Sequence, residues 1–168
     1  MENLIFLLAT SFVLRISTSR KFKNYLIGDT GCSALLFSNS DLEHVQNESG
    51  DRLYFTDYSE NEVNYGIICI DLNEFYLQDE AEALLENYIN KLRKPFFILH
   101  NTGLQPVMDW NSNDSSAFID YWQVFDQKDW KIKGYTNGRF MAVLYVKNIS
   151  QAEVKKQEEF LDSFHFGK

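Results

Sequence analysis

Asp29 stands in the sequence context that comes nearest to a catalytic motif. It belongs to the segment Gly28-Asp29-Thr30-Gly31, which follows the apolar residues Tyr25-Leu26-Ile27. An Asp-Thr-Gly turn after a strand can present a carboxylate for acid–base hydrolysis, but this chemistry needs two carboxylates that share one proton. The sequence contains no second Asp-Thr-Gly or Asp-Ser-Gly. The segment is therefore interpreted as an ordinary glycine-rich turn, and a small aspartic hydrolase that uses Asp29 is kept only as the last alternative.

The three histidines do not predict a metal site or a catalytic base. His44, His100 and His165 are far apart, and none has another histidine or a cysteine four residues away. His100 ends an apolar run and His165 lies between two phenylalanines, which favours structural roles for both. Phosphate-binding, dinucleotide-binding and serine-hydrolase motifs are absent from the sequence. The sequence thus predicts no catalytic, cofactor-binding or metal-ligating residue.

Cys32 and Cys69 have neither the spacing of a metal site nor that of a CxxC redox motif. Both stand in apolar, strand-like runs. They are interpreted as two small buried hydrophobic side chains, with a disulfide as the alternative.

Composition predicts one globular domain with an acidic surface. The chain has 168 residues, 45% of them hydrophobic and 15% aromatic, and a net charge of −8. A chain of this length can bury a sizeable core. An acidic surface repels a phosphate backbone, and the one basic cluster, residues 15–23, flanks an apolar stretch without interleaved aromatic residues. Nucleic acid is therefore not expected as a partner.

Residues 1–19 form either a signal peptide or an N-terminal segment that packs on the domain of residues 20–168. The apolar run 4–14 is too short to span a bilayer as a helix. Its length suits a signal peptide, and Ser17-Thr18-Ser19 suits a cleavage site, although Glu2 stands where basic residues are usual. We expect an extracytoplasmic protein, periplasmic or secreted, with a cytoplasmic location as the alternative and no integral membrane span.

The first half of the chain predicts strands followed by a helix. Residues 25–27 and 32–37 read as short strands around the glycine-rich turn, and residues 52–58 and 64–72 as longer strands. Residues 38–51 are polar and are interpreted as a loop. Residues 67–70 are apolar in succession, which predicts a central strand covered on both sides.

A helix is predicted over residues 77–93, where apolar residues recur at three- and four-residue steps: Ala81, Leu84, Leu85, Tyr88, Ile89 and Leu92. Pro95 ends it. Residues 96–101 are then predicted to form a buried strand, residues 106–116 a polar loop that carries an exposed Trp110, and residues 118–126 an aromatic strand.

The last part of the chain predicts a β-hairpin followed by a closing helix. Asn137-Gly138 is typical of a two-residue turn with positive φ at both positions, which would place Ile132 opposite Val143 and Trp130 opposite Tyr145. A helix over residues 151–163 would carry one apolar stripe, formed by Val154, Phe160, Leu161 and Phe164. Strands in blocks interrupted by single helices predict an α+β fold, with a central antiparallel sheet flanked by helices.

In this order of elements the chain resembles the PsbP-like sandwich proteins, which include the photosystem extrinsic subunit, the Ran-binding Mog proteins and small exported bacterial proteins. The resemblance covers about residues 20–168. Three segments carry it: the mid-chain helix with the following PFFILH, the strand FIDYWQVF before the hairpin WKIKGYTNGRFMAVLYV, and the ending EEFLDSFHF. These proteins share no catalytic residues, so the resemblance implies a binding or assembly role.

Three functions are carried forward from the sequence. The first is a non-enzymatic, exported binding or assembly protein with an unknown protein partner. The second is a cytoplasmic, immunity-type or other acidic interaction module whose surface covers a basic site on its partner. The third is the aspartic hydrolase already mentioned.

Overall fold

The structure is a computed structural model that describes residues 22–38, 42–107, 115–124, 129–149 and 153–167. The segment 1–19, the loop with Trp110 and residues 125–128 lie outside these ranges. The described residues form the strands β1 (Lys23–Leu26), β2 (Ser33–Leu36), β3 (Glu43–Gln46), β4 (Arg52–Glu60), β5 (Val63–Asp71), β6 (His100–Asn101), β7 (Gln105–Pro106), β8 (Ser116–Gln123), β9 (Asp129–Thr136) and β10 (Phe140–Lys147), and the helices α1 (Gln78–Leu92) and α2 (Val154–Leu161). Neither helix is long and apolar enough to cross a membrane.

The fold is organised around an eight-stranded sheet in the order β3-β4-β5-β10-β9-β8-β6, with β7 also paired to β8. Each of these pairings is antiparallel, and β1 and β2 form a separate hairpin. β5 and β10 lie side by side in the sheet, and β5 is buried along its whole length. The predicted central position of residues 64–72 is therefore correct.

Other elements cover both faces of the sheet. Alternate residues of its central strands point to opposite faces, so each strand contributes to two separate core clusters. Tyr65, Ile67 and Cys69 pack against the β1–β2 hairpin and α2. Ile68 and Ile70 pack against α1. This is the predicted α+β architecture, an antiparallel sheet flanked by helices.

The predicted mid-chain helix is present as α1. Ala81, Leu85, Tyr88, Ile89 and Leu92 are buried, and Leu84 is partly buried. Gly134 on β9 allows this close packing, because an added Cβ would lie 2.7 Å from Ile89 Cδ1.

The closing helix is also present, but its predicted apolar stripe is partly wrong. Phe160, Leu161 and Phe164 are fully or almost fully buried, whereas Val154 is 41% exposed. Val154 is the first residue of α2, so it lies where the helix begins and not where it crosses the sheet.

The predicted hairpin is present with a different register and turn. Tyr145 pairs with Ile132, and Thr136 pairs with Met141, so the partners differ by two residues from the predicted ones. Asn137 does not take a positive φ. Its side-chain oxygen instead accepts bonds from the N–H groups of residues 139 and 140 at 3.1 and 2.8 Å, as in an Asx turn. A shift by two residues keeps every side chain on its predicted face.

Two predictions about the sheet edges are wrong. Residues 38–51 were predicted to be a loop, but they contain the edge strand β3. Residues 96–101 were predicted to be a buried strand, but only His100–Asn101 pairs with β8, and both residues are exposed. Edge strands bury little of their surface, so a polar segment can form one and an apolar segment can remain at the surface.

Candidate interaction surface

The predicted glycine-rich turn is present, and Asp29 lies in it beside Arg52. Gly28 and Gly31 take φ values of 56° and 76°, which glycine adopts without strain. Arg52 Nη1 donates to both carboxylate oxygens of Asp29 at 2.9 and 2.7 Å, and the Tyr54 hydroxyl donates at 2.6 Å. The bonds from Tyr54 and then Arg52 hold the pKa of Asp29 below its usual value. Asp29 is thus an ionised partner in an ion pair, which is not the proton-sharing arrangement that an aspartic hydrolase requires.

Arg52 connects Asp29 to a second, buried carboxylate. Its Nε donates to Asp71 Oδ2 at 3.1 Å, and its Nη2 bonds the same oxygen. Arg139 Nη2 lies 2.7 Å from the other oxygen of Asp71, whose side chain is only 3% exposed. A buried charge without partners is strongly unfavourable, and here two cations satisfy it. The network joins the β1–β2 turn, the start of β4, the end of β5 and the β9–β10 turn.

Asp29→Asn is expected to lower the melting temperature slightly near neutral pH and to leave it unchanged in acid. Because the pKa of Asp29 in the folded state lies below the value of 3.8 usual for an aspartate, the ion pair stabilises the fold above that pH, and this stabilisation is lost as the pH falls through the folded-state pKa. The Asp29 side chain is 69% exposed, so the change is small. Thermal melts of parent and variant across this pH range measure it. A protease activity that the parent has and the variant lacks would restore the hydrolase alternative.

Four connections meet at this end of the sheet: residues 28–31, 47–51, 73–77 and 137–140, together called the four-turn end. Asp51 Oδ1 accepts the Asn73 N–H at 2.9 Å. The Tyr76 N–H donates to the Gly138 carbonyl at 2.9 Å, and Arg139 Nη1 donates to the Asn73 carbonyl at 3.4 Å. Each connection is therefore bonded to a neighbouring one or to the arginine network, which gives this end a defined surface.

The four-turn end exposes two large apolar side chains among acidic ones. Phe75 and Leu77 are each 69% exposed, whereas Tyr76 between them packs towards the α1 core. Glu74 precedes them, and Asp79 and Glu80 follow in the first turn of α1, all exposed. Exposed apolar side chains surrounded by polar ones are typical of protein interaction sites. No sequence motif indicates this site, although Phe75 and Leu77 do lie outside the periodic apolar stripe of the helix.

A second group of exposed apolar residues lies at the β6 edge of the sheet. Phe97 is 80% exposed and Leu99 is 55% exposed, and Lys94 nearby in the chain is also exposed. Phe97 takes a φ of 56°, an unusual value for an aromatic residue. This edge repeats the residue types and the spacing of Phe75 and Leu77 without their acidic neighbours.

No sequence motif marks Asp120, which stabilises the β6 edge from the buried side. It is fully buried, and its carboxylate accepts bonds from Trp122 Nε1 at 2.7 Å, Arg93 Nη2 at 3.1 Å and Thr102 Oγ1 at 3.1 Å. Its backbone neighbour Tyr121 donates as well, at 2.8 Å. A carboxylate with four donors is a structural group.

An aromatic cluster beneath α2 is occupied by the protein's own lysine. Lys156 Nζ lies 5.3 Å from the ring centre of Phe22, 5.5 Å from that of Phe37 and 5.8 Å from that of Tyr65. The ammonium group also bonds Glu60. Cation–π contacts of this kind stabilise the packing of a helix, so this cluster holds α2 to the sheet.

The histidines lie apart from one another. His44 stacks near the Tyr54 ring with centroids 6.0 Å apart, and His100 is exposed in β6. His165 pairs with Ser33 through its backbone, which agrees with a role in terminal packing. Among the described residues, no group of three His, Cys, Asp or Glu side chains is arranged to hold a metal ion.

No protein-family model matches the chain, and no curated protein matches it. Among solved structures, the chain is similar to the solution structure of cyanobacterial PsbP (CyanoP) from Synechocystis sp. PCC 6803. The TM-score is 0.48 and the sequence identity 12%, over 93% of this chain and 98% of that chain. The resemblance to PsbP-like proteins that the sequence suggested is thus found among solved structures as well.

Proposed function

We propose that the protein is a non-enzymatic binding or assembly protein that binds a protein partner through its four-turn end. The observation that carries the proposal is the exposure of Phe75 and Leu77, at 69% each, on a loop bonded to its neighbouring turns. An exposed aromatic side chain on a rigid support loses little conformational freedom on binding, which favours affinity. Aromatic side chains such as Phe75 are enriched at protein interfaces relative to the rest of the surface.

The charges around this centre define the partner's chemistry. Glu74, Asp79 and Glu80 are exposed beside Phe75 and Leu77. A complementary partner presents an apolar socket surrounded by lysine or arginine side chains, since opposite charges steer the encounter and disfavour other partners. Binding should therefore weaken as the salt concentration rises.

The cellular location separates two forms of this proposal. An exported binding or assembly protein is the first, supported by the apolar run 4–14 and the small residues that follow it. A cytoplasmic, immunity-type module is the second, supported by the acidic side chains beside Phe75, which suit a basic target. Cell fractionation of the full chain with a C-terminal tag distinguishes the two.

The binding test compares two matched double variants. Phe75→Ser with Leu77→Ser alters the four-turn end, and Phe97→Ser with Leu99→Ser alters the same residue types at the same spacing on the β6 edge. Both pairs are exposed, so both variants should remain folded. Partners recovered from the native host with each tagged protein are identified, purified and titrated against parent and variants.

We expect the first variant to weaken the affinity for a purified partner by about 10-fold or more, and the second to leave it within about threefold. Equal affinity of the first variant and the parent would contradict the proposal. A loss confined to the second variant would place the interface at the β6 edge instead.

A further inference from the structure

We propose that the protein assembles head to tail, with the four-turn end of one copy bound to the β6 edge of a second copy. The inference rests on the proposed function, because it uses the four-turn end as the binding surface and names one partner for it. The two surfaces are complementary in charge, and they lie beyond opposite ends of α1.

The two surfaces expose the same kinds of side chain. Phe75 and Leu77 come just before α1 and are each 69% exposed, and Phe97 and Leu99 follow its end at 80% and 55%. Tyr121, on the strand that pairs with β6, is 43% exposed as well. Contact between two such surfaces removes apolar area from water on both copies, which favours association.

Unpaired charges of opposite sign surround the two surfaces. Glu74, Asp79 and Glu80 are exposed at the four-turn end, whereas Lys94 is exposed and Lys91 partly exposed near the β6 edge. Within the part of the chain that the structure describes, none of these five side chains takes part in an ion pair. They are therefore available to a second molecule. Carboxylates set against lysines favour this contact over one between two four-turn ends, which would bring like charges together.

The fold keeps the two surfaces of one chain apart. α1 has 15 residues and is about 22 Å long at 1.5 Å per residue. β8 gives the same arrangement, because its first residue, Ser116, bonds Gln78 at 3.0 Å and its last, Gln123, accepts the Leu99 N–H at 2.9 Å. The two surfaces therefore meet only between copies. Such a contact is heterologous, so each bound pair keeps one free surface of each kind for further copies.

The β6 edge has a rigid support of its own. Phe97 takes a φ of 56°, and a strained conformation of this kind persists only where the surrounding structure holds it. Three successive N–H groups, of residues 97, 98 and 99, donate to the carbonyl oxygens of residues 94, 93 and 123 at 3.1, 2.9 and 2.9 Å. Phe97 and Leu99 are thus held in place before a partner binds, which lowers the entropic cost of association.

The test uses the two double variants defined above. Phe75→Ser with Leu77→Ser alters the four-turn end, and Phe97→Ser with Leu99→Ser alters the β6 edge. The full-length parent, each variant and an equimolar mixture of the variants are compared by sedimentation equilibrium. Concentrations reach about 1 mM, because the contact is small. The salt concentration is about 150 mM, which screens the long-range repulsion between copies that each carry a net charge of −8.

We expect the mass of the parent to rise with concentration beyond that of a dimer, and each double variant alone to remain a monomer. The mixture should form a dimer and stop there, because one copy supplies the intact β6 edge and the other the intact four-turn end. Formation of this mixed dimer also shows that both variants are folded.

The charges are tested in the same mixed dimer. Lys94→Glu in the copy with the intact β6 edge should raise the dissociation constant by about threefold or more, because the new carboxylate meets the acidic side chains of the four-turn end. The same change in the other copy, whose β6 edge is already altered, is the matched control and should leave the dissociation constant unchanged.

Four results would overturn the inference: a parent that stays monomeric at every concentration, a dimer of either double variant alone, no dimer in the mixture, or an equal effect of Lys94→Glu in both copies. The proposed function is judged separately, by the affinity of a purified host partner for the variant at Phe75 and Leu77. A monomeric parent that binds such a partner through these residues would therefore refute the head-to-tail assembly alone.

Discussion

Leu161→Asp is expected to reduce the free energy of unfolding by about 3–5 kcal/mol, a large share of the total stability of a domain of this size. Leu161 is fully buried in the core between α2 and the sheet. Its carbonyl accepts a bond from the Tyr135 hydroxyl, so the residue fixes α2 to β9 through both its side chain and its backbone. A charge at this position would be removed from water among apolar neighbours.

The matched control is Glu159→Ala on the same helix. Glu159 is 57% exposed and lies 3.8 Å from Lys155 in an exposed pair, so its loss should cost less than about half a kcal/mol. Glu158 is less suitable, because it forms an ion pair with the partly buried Lys131. Urea unfolding of parent and variants measures the contrast. If Leu161→Asp proves too unstable to purify, Leu161→Ala should still cost about 2–5 kcal/mol; unchanged midpoints would show that α2 does not belong to the core.

The sequence predicted which face of the sheet each residue occupies better than which residues are partners. Alternation along β9 and β10 is set by the pleat, and it correctly places Ile132, Val143 and Tyr145 together in the α1 core. The register depends on the turn, and there the prediction failed. Asn137 acts through its side-chain oxygen and not through a positive φ. Asparagine is favoured in turns for both properties, so its presence alone does not reveal which turn forms.

The candidate surface could not be predicted for a different reason. Phe75 and Leu77 are apolar residues of the kind that usually belongs to a core, and so are Phe97 and Leu99 in the run that was predicted to be buried. Whether such residues are covered depends on what packs over them, and local sequence does not report this. The partner of Asp29 could not be predicted either. Arg52 belongs to another element, and the packing of the hairpin on the sheet brings the two side chains together.

The glycine of the β9–β10 turn offers a direct test of how the four-turn end is assembled. Gly138 has a φ of 83°, and an added Cβ would lie 2.2 Å from the Tyr76 carbonyl oxygen and 3.1 Å from two ring carbons of Phe75. Gly103 has the same φ of 83°, but an added Cβ there would meet nothing within 4 Å. An alanine at either position would suffer the same backbone strain, but only the one at position 138 would also collide with the 73–77 loop.

Gly103→Ala should therefore cost about 1–2 kcal/mol, the strain of a left-handed conformation alone. Gly138→Ala should cost about 2–5 kcal/mol, because the side chain must also push the 73–77 loop away from the turn. Denaturant unfolding of both variants measures the two losses of stability. Their difference reports the contact between the β9–β10 turn and the 73–77 loop. That contact also positions Phe75, so Gly138→Ala should disturb the proposed interface where Gly103→Ala leaves it intact. Equal losses in the two variants would mean that the 73–77 loop is not held against the hairpin, and the rigid support that the proposed function requires would then be missing.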